Sequence, residues 1–329
     1  MSQIQVAMIG CGYFGEKHLA VLASLPYVSV KTVCDANGAR AAEMAKKYKV
    51  PHWTSDVGEV LADTDIAAVD ICTHEDTHAS LSIEAMRHGK HVLVEKPMAP
   101  TYGEAERMIA ESKERRVTLM PGHIMRFDPR YALIRERKEQ LGKFHSVYMK
   151  RNSPKNLRDF YRGIHPVLMT LIHDIDLLLW YIDSPLESVY AVESDTQGAG
   201  QIDNVWAFMT FRTGETACLQ SSWLLPEKEG IVPEALVEIL AENGKAVVAS
   251  PADEVSIYGP AGVERPDVAM WPLLHGQQSG AIRSELEHFI HCVITGEPST
   301  VCAPEIALAS ARAADMIMRS AKEKKELRF

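Results

Sequence analysis

The chain has no pair of cysteines spaced for a metal or a disulfide framework. Its six thiols, at positions 11, 34, 72, 218, 292 and 302, include no C-x-x-C. Scattered cysteines of this kind read as reduced and mostly buried, the usage of a cytoplasmic protein. No apolar run approaches the roughly 18 residues that a membrane helix needs. No basic stripe stands out in a sequence whose formal net charge is −9, so neither nucleic acid nor an anionic membrane surface is an expected partner. Met1-Ser2-Gln3 runs straight into a strand, so no signal peptide is expected. Repeats and low-complexity tracts are missing too. What is present, 46% hydrophobic and 24% charged residues over 329 positions, is the composition of a soluble globular protein long enough for two domains.

The most informative segment is Gly10-Cys11-Gly12-Tyr13-Phe14-Gly15. It closes a short apolar strand, Ile4 to Ile9, and opens a helix. Twenty residues past Gly15, a second apolar strand, Val28 to Cys34, ends on Asp35. In that context each glycine has a task. Gly10 permits the tight turn, Gly12 lets backbone N–H groups approach a pyrophosphate, and Gly15 lets helix and strand pack closely. The phosphates would lie at a helix N-terminus, where unpaired N–H groups and the macrodipole favour anions. Asp35 is placed to accept hydrogen bonds from ribose hydroxyls and would repel a 2′-phosphate, which favours NAD over NADP. Cys11, inside the loop, reads as a small space-filler.

Over residues 1–120 strand and helix alternate with short connections, as a parallel α/β sheet requires. Helices are expected over about 39–48, 56–61, 77–88 and 100–115, and further strands over 66–72, 91–95 and 117–120. Pro121-Gly122 marks the expected domain boundary. Beyond it, over 121–329, the pattern becomes α+β. A helix over about 129–141, a strand over 144–151 and a helix over 167–181 precede strands near 188–193, 204–211, 216–223, 235–241 and 245–249. That block reads as a largely antiparallel open sheet. Two helices, near 281–295 and 304–322, close the chain, and Lys322 to Arg328 reads as a solvated helix end. In strand 204–211, Val205, Ala207, Met209 and Phe211 line one face, while Trp206 and Phe208 lie on the other. A sheet apolar on both faces needs two covers, and a second subunit is one candidate.

Glu95-Lys96-Pro97 follows the strand 91–94, which places Lys96 at the carboxyl end of a parallel strand, where open α/β sheets bind ligands. Taken with Thr73 and His78, with Gly122-His123-x-x-Arg126-Phe127-x-Pro129, with Ile172-His173-Asp174-Ile175-Asp176 and with Pro304-Glu305-x-Ala307, this tripeptide resembles the glucose–fructose oxidoreductase/inositol dehydrogenase (Gfo/Idh/MocA) family over essentially the whole chain. The resemblance implies a Rossmann domain over 1–120 and an α+β domain over 121–329 that serves substrate binding and oligomerisation, a homodimer or homotetramer. It also implies a substrate pocket at the junction of the two for a sugar, cyclitol or related polyol. NAD would be held by Gly10, Gly12, Tyr13, Phe14, Gly15, Asp35, Thr73, His74, His78, Glu95 and Lys96.

Carried over by position, Lys96 is the catalytic lysine and His173 the catalytic histidine. Oxidising a secondary alcohol removes the hydroxyl proton as hydride leaves the same carbon. An imidazole suits the proton, and a lysine ammonium suits the developing alkoxide. Asp176, three residues on, shares the helical face of His173. His123, Arg151, Asn152 and His165 are candidate substrate contacts. Many relatives carry aspartate four residues before the histidine; here Met169 stands there, and Asp159, ten residues earlier, is no substitute.

The reading therefore leaves alternatives beside the sugar or cyclitol dehydrogenase: a nucleotide-sugar 3-dehydrogenase, or a non-catalytic NAD(H)-binding sensor. His74-Glu75-Asp76-Thr77-His78 matches H-E-x-x-H, but a zinc site of that kind needs both histidines in mid-helix and a third ligand. Directly after a strand the first of these residues should turn, so no metal is expected.

Overall fold

The computed structural model describes residues 3–157, 161, 163–227, 233–251, 255–260 and 262–329; Asp159 lies outside them. Strand β1 (Ile4–Ile9) alternates its side chains between two apolar layers. Val6 and Met8 enter one hydrophobic cluster, and Ala7 and Ile9 the other. A strand covered on both faces carries such a continuous apolar run. Its parallel partners are β2 (Val28–Cys34), β3 (His52–Thr54), β4 (Ala68–Ile71), β5 (His91–Glu95) and β6 (Leu119–Gly122), in the order β3-β2-β1-β4-β5-β6. That is the doubly wound order, with its switch point between β1 and β4. The helices are α1 (Tyr13–Leu22), α2 (Gly38–Tyr48), α3 (Val57–Ala62), α4 (Glu75–Arg87) and α5 (Tyr102–Arg115). Thr101 and Glu104 form a capping box at the head of α5: the Glu104 amide donates to Thr101 Oγ1 at 3.3 Å, and the threonine hydroxyl returns a bond to the glutamate at 2.7 Å.

The chain divides by contact into two compact units, residues Met1–Asp128 with Ala269–Leu308, and Pro129–Val268 with Ala309–Phe329. This departs from the expected split at 121. Strand β6 runs to Gly122 as the sixth strand of the first sheet. A later helix, Ala281–Thr295, lays Ala281, Ile282, Leu286, Phe289 and Ile290 into the cluster that holds Val6, Met8, Leu93 and Met120. It shares that face of the sheet with α1 and α2, whose Leu19, Leu22, Ala41 and Met44 enter the same cluster.

In the second unit the helices α6 (Pro129–Glu136) and α7 (Lys138–Leu141) replace the single helix expected there. β7 (Phe144–Pro154) follows, then a π-helical turn over Val167–Leu171 leads into α8 (Ile172–Tyr181). β8 (Leu186–Ser194), β9 (Asn204–Phe211), β10 (Thr216–Leu225), β11 (Glu234–Ala241) and β12 (Gly244–Ser250) complete the sheet β12-β11-β7-β10-β9-β8. It is antiparallel except for the β7–β10 pair. A short strand, Leu327–Arg328, joins its edge beside β8, so the chain end read as a solvated helix terminus is in part a strand. The helix Ala281–Thr295 is α9, and Pro304–Glu323 is α10. As expected, Val205, Ala207, Met209 and Phe211 are buried, whereas Phe208 is 56% exposed.

Candidate functional site

The glycine loop lies where the sheet order reverses, and its dimensions show which glycines serve the fold. A Cβ on Gly10 (φ +93°) would stand 2.5 Å from the Cys72 carbonyl oxygen, and one on Gly15 2.1 Å from that of Gly10. Neither position tolerates a side chain. Gly12, which caps α1, is different: a Cβ there would meet nothing within 4 Å. The space beside Gly12 is thus free of protein, at a helix N-terminus suited to a pyrophosphate, so the cradle fits a dinucleotide. Tyr13 is exposed, with Lys17 Nζ 4.8 Å from its ring centre. Phe14 packs edge-on to Trp271 and at 5.0 Å from the His18 ring. Cys11 is fully buried, and burial first, then Asp35, pushes its thiol up to about 12; it is inert packing.

Asp35, the residue expected at the ribose, holds the loop. Its Oδ2 accepts from the Cys11 amide at 2.7 Å and its Oδ1 from the Asn37 amide at 2.8 Å. Arg40, unnoticed in the sequence, donates from Nε to the Cys11 carbonyl and pairs with Glu16 and Glu43. Its guanidinium is therefore committed to protein groups.

Across the switch point, Thr73 and Thr77 hydroxyls lie 2.7 Å apart. α4 begins at Glu75, two residues earlier than expected, with His74 as its exposed cap. His74 faces Glu75 and Asp76, each at 3.2 Å. His78 is 1% exposed, and its ring nitrogens lie 2.8 Å from the Pro97 carbonyl and 3.1 Å from the Thr73 carbonyl. His78 turns both ring nitrogens toward backbone carbonyls, and its N–H donates to one of them. It ties the Thr73 loop to the residue after Lys96. Lys96 is half-buried at the end of β5, with its amide bonded to Glu95 Oε2 at 3.1 Å. His123, at the end of β6, is 3% exposed, and its carbonyl faces the Cys302 thiol.

In the second unit His173 is half-buried near the start of α8, directly after the π-helical turn that contains Met169. Such turns recur at functional sites. Asp176 is 1% exposed, with the Ser310 hydroxyl 3.5 Å away. Three expected substrate contacts have other occupations. Arg151 makes a bidentate pair with fully buried Asp174, at 3.2 and 2.8 Å. Burial works against the Arg151 charge, yet Asp174 holds it raised. Burial likewise pushes the Asp174 carboxyl up against the pull of Arg151; the two-point geometry is that of an ion pair. Asn152 donates to Glu234 at 2.6 Å. His165 Nδ1 accepts from the Val167 amide, so its Nε2 carries the proton that reaches Glu193 at 3.1 Å. The sequence named these residues as candidate substrate contacts, but their partners lie 23, 82 and 28 positions away, where no local signal points.

A six-stranded doubly wound sheet with a dinucleotide cradle at its switch point defines an NAD-binding oxidoreductase scaffold. Residues 4–123 match the model of an oxidoreductase family with an NAD-binding Rossmann fold, and residues 137–247 match the C-terminal domain of the same family. The chain belongs to the Gfo/Idh/MocA oxidoreductases. It is 30% identical to a UDP-N-acetylglucosamine 3-dehydrogenase of Acidithiobacillus ferrooxidans over 69% of each chain. Against a myo-inositol 2-dehydrogenase of Thermotoga maritima it is 24% identical over 91% of this chain and 90% of that one. The crystal structure of GenD2 from gentamicin A biosynthesis, in complex with NAD, superposes with a TM-score of 0.88 at 23% identity, covering 100% of this chain and 97% of the other. The fold is therefore shared, and the chain is an NAD-dependent dehydrogenase of this family.

Proposed function

We propose that this enzyme moves hydride between NAD and a ring hydroxyl or ketone of an uncharged sugar or cyclitol. Bound at the Gly12 face, NAD supplies the hydride acceptor. Lys96 then hydrogen-bonds the substrate oxygen and stabilises the charge that develops on it, and His173 takes the hydroxyl proton. The observation that carries this reading is Lys96 itself, a half-buried lysine at the carboxyl end of β5, the second strand beyond the switch point, with its backbone fixed by Glu95. Arg151, a candidate substrate contact, is committed to Asp174, which favours a neutral substrate. The relative named as a UDP-N-acetylglucosamine 3-dehydrogenase supports a second reading, a nucleotide sugar oxidised at C3.

We also propose that the apolar outer face of the second unit's sheet pairs with another copy of the chain. The test of the chemistry is NADH absorbance across a panel of inositols, free sugars and UDP-sugars. Turnover of a free polyol that is lost in Lys96→Ala and in His173→Ala, with NAD affinity retained in His173→Ala, supports the first reading. Turnover confined to UDP-sugars supports the second. Tight NAD binding without turnover on any of them would overturn both and leave a sensor.

A further inference from the structure

Four elements of the first unit bring together a cluster of titratable groups of which the reading above uses only Glu95: His18 from α1, Asp70 and Cys72 on and beside β4, Glu95 from β5, and Glu285 from α9. His18 and Glu285 are fully buried, Asp70 is 2% exposed and Glu95 7%. His18 Nδ1 lies 2.9 Å from Asp70 Oδ2, and its Nε2 lies 3.5 Å from Glu95 Oε1. His18, Glu95 and Glu285 each bring one polar atom to within 4.8 Å of the others. Both oxygens of Glu285 are buried with no hydrogen-bond partner among the described residues. The cluster touches the chemistry at one point, because the other Glu95 oxygen, Oε2, holds the amide of Lys96 at 3.1 Å. Room for Glu95 comes from Gly122, where a Cβ would stand 2.7 Å from Oε1.

Two carboxylates this close and this deeply buried cannot both carry charge without a large penalty. One imidazole can supply only one proton toward them, since its other nitrogen serves Asp70. A proton on Glu285 removes the repulsion and turns a group that could only accept into a donor. We propose that Glu285 is a positioning residue for Lys96: as a neutral acid it donates into the Glu95–His18 pair, directly or through one bridging water, and so fixes the carboxylate that anchors the Lys96 amide. The inference rests on the catalytic reading of Lys96.

The surrounding groups agree. Burial, with Glu95 and Asp70 adding to it and His18 opposing, drives the Glu285 carboxyl far above the usual carboxylate range. Burial resists the charge on His18, but Asp70 outweighs it and holds the imidazolium. Cys72 is pushed up by burial and stays a neutral thiol. The Glu95 and Asp70 carboxylates thus face one imidazolium, with the neutral acid closing the remaining side.

The full chain loaded with NAD, compared with Glu285→Gln and Glu285→Ala, tests this without requiring a known substrate. A carboxyl whose folded value is raised adds stability that is lost as pH rises toward that value. Between about pH 6 and 9 the wild-type Tm should therefore fall with a slope that Glu285→Gln lacks. After reductive methylation with carbon-13, the NMR signal of Lys96, assigned by its loss in Lys96→Arg, should titrate alike in wild type and Glu285→Gln and be displaced in Glu285→Ala. On any substrate turned over, Ala should lower kcat about tenfold or more through misplacement, and Gln should restore it. Equal Tm slopes in wild type and Gln overturn the proposal, as does a Lys96 signal that Ala leaves unmoved. So does a stoichiometric divalent ion whose removal by chelator destabilises wild type but not Ala. If Ala does not fold, the wild type–Gln comparison decides. Absence of turnover with these differences intact would sink the catalytic reading and not this one.

Discussion

Three glycines within six residues have separate duties, and the difference is measurable. Ala at position 15 puts a carbon 2.1 Å from the Gly10 carbonyl oxygen, a clash with backbone that no rotamer relieves. We expect Gly15→Ala to destabilise by at least about 3 kcal/mol in urea unfolding. Ala at position 12 meets nothing, and the backbone there (φ −64°, ψ −170°) suits any residue. Gly12→Ala should therefore unfold within about 0.5 kcal/mol of wild type and yet bind NAD about tenfold more weakly or worse, because its methyl occupies the phosphate space. Equal loss of stability in the two variants would contradict the assignment. The duties of Gly10 and Gly15 toward the fold were legible in the sequence because the motif is local: each acts on a neighbour a few residues or one strand away. His165 was not legible in the same way. As a lone polar residue it read as a substrate contact, whereas its ring bridges the Val167 amide and Glu193. Burial first, opposed by Glu193, lowers its titration point. The unfolded ring titrates near 6.5 and binds its proton more readily than the folded one, so this residue removes stability as pH falls below that value. Thermal melts of wild type and His165→Gln should diverge on the acid side and converge above pH ~7.5.

At the scale of elements, long amphipathic segments and apolar strands were readable because burial imposes a period on them. The strands expected at 4–9, 28–34, 91–95 and 204–211 have those bounds. Three-residue β3, the two-residue terminal strand and the π-helical turn before α8 were not readable, since their backbones are set by a sheet edge or a packing constraint rather than by their own pattern. α8 also shows how a motif's unremarked member can matter most to its support. His173 follows the motif, but the next residue, Asp174, anchors the helix to β7 through Arg151. Removing one partner leaves a buried charge uncompensated. Asp174→Ala should cost about 3–5 kcal/mol, and the double variant Asp174→Leu with Arg151→Met should recover most of it, both read by denaturant midpoints. A double variant no more stable than the single one would show that the pair is needed for more than charge balance.

At the scale of the whole chain, sequence order misled about which segments build which unit. Nothing local in residues 281–295 says that Leu286, Phe289 and Ile290 complete the core of a sheet more than 150 positions upstream. Only the doubly wound sheet, with one face short of a helix, explains the return. The second sheet leaves a comparable demand on its outer side. Register sets Tyr190 opposite Phe208, Phe208 opposite Cys218, Cys218 opposite Tyr148, Tyr148 opposite Glu238, and Glu238 opposite Val247. One row of mostly apolar side chains therefore crosses six strands. Tyr190, Val192, Phe208, Leu240 and Val247 are each more than 40% exposed, and Tyr148 stacks on Trp206. So broad an apolar row is unusual on a monomer's surface, and a flat sheet face suits the self-complementary contact of a two-fold dimer. Phe208 is the second of the six in that row and lies on β9, which carries none of the proposed catalytic or cofactor residues. Phe208→Glu should place a repelling carboxylate opposite its own symmetry mate or its neighbours. Light scattering after size exclusion is expected to show the variant shifted toward monomer, with NAD binding by the first unit unchanged. A wild-type chain that elutes as a monomer at micromolar concentration would end this assignment, because the exposed row would then have no second copy to cover it.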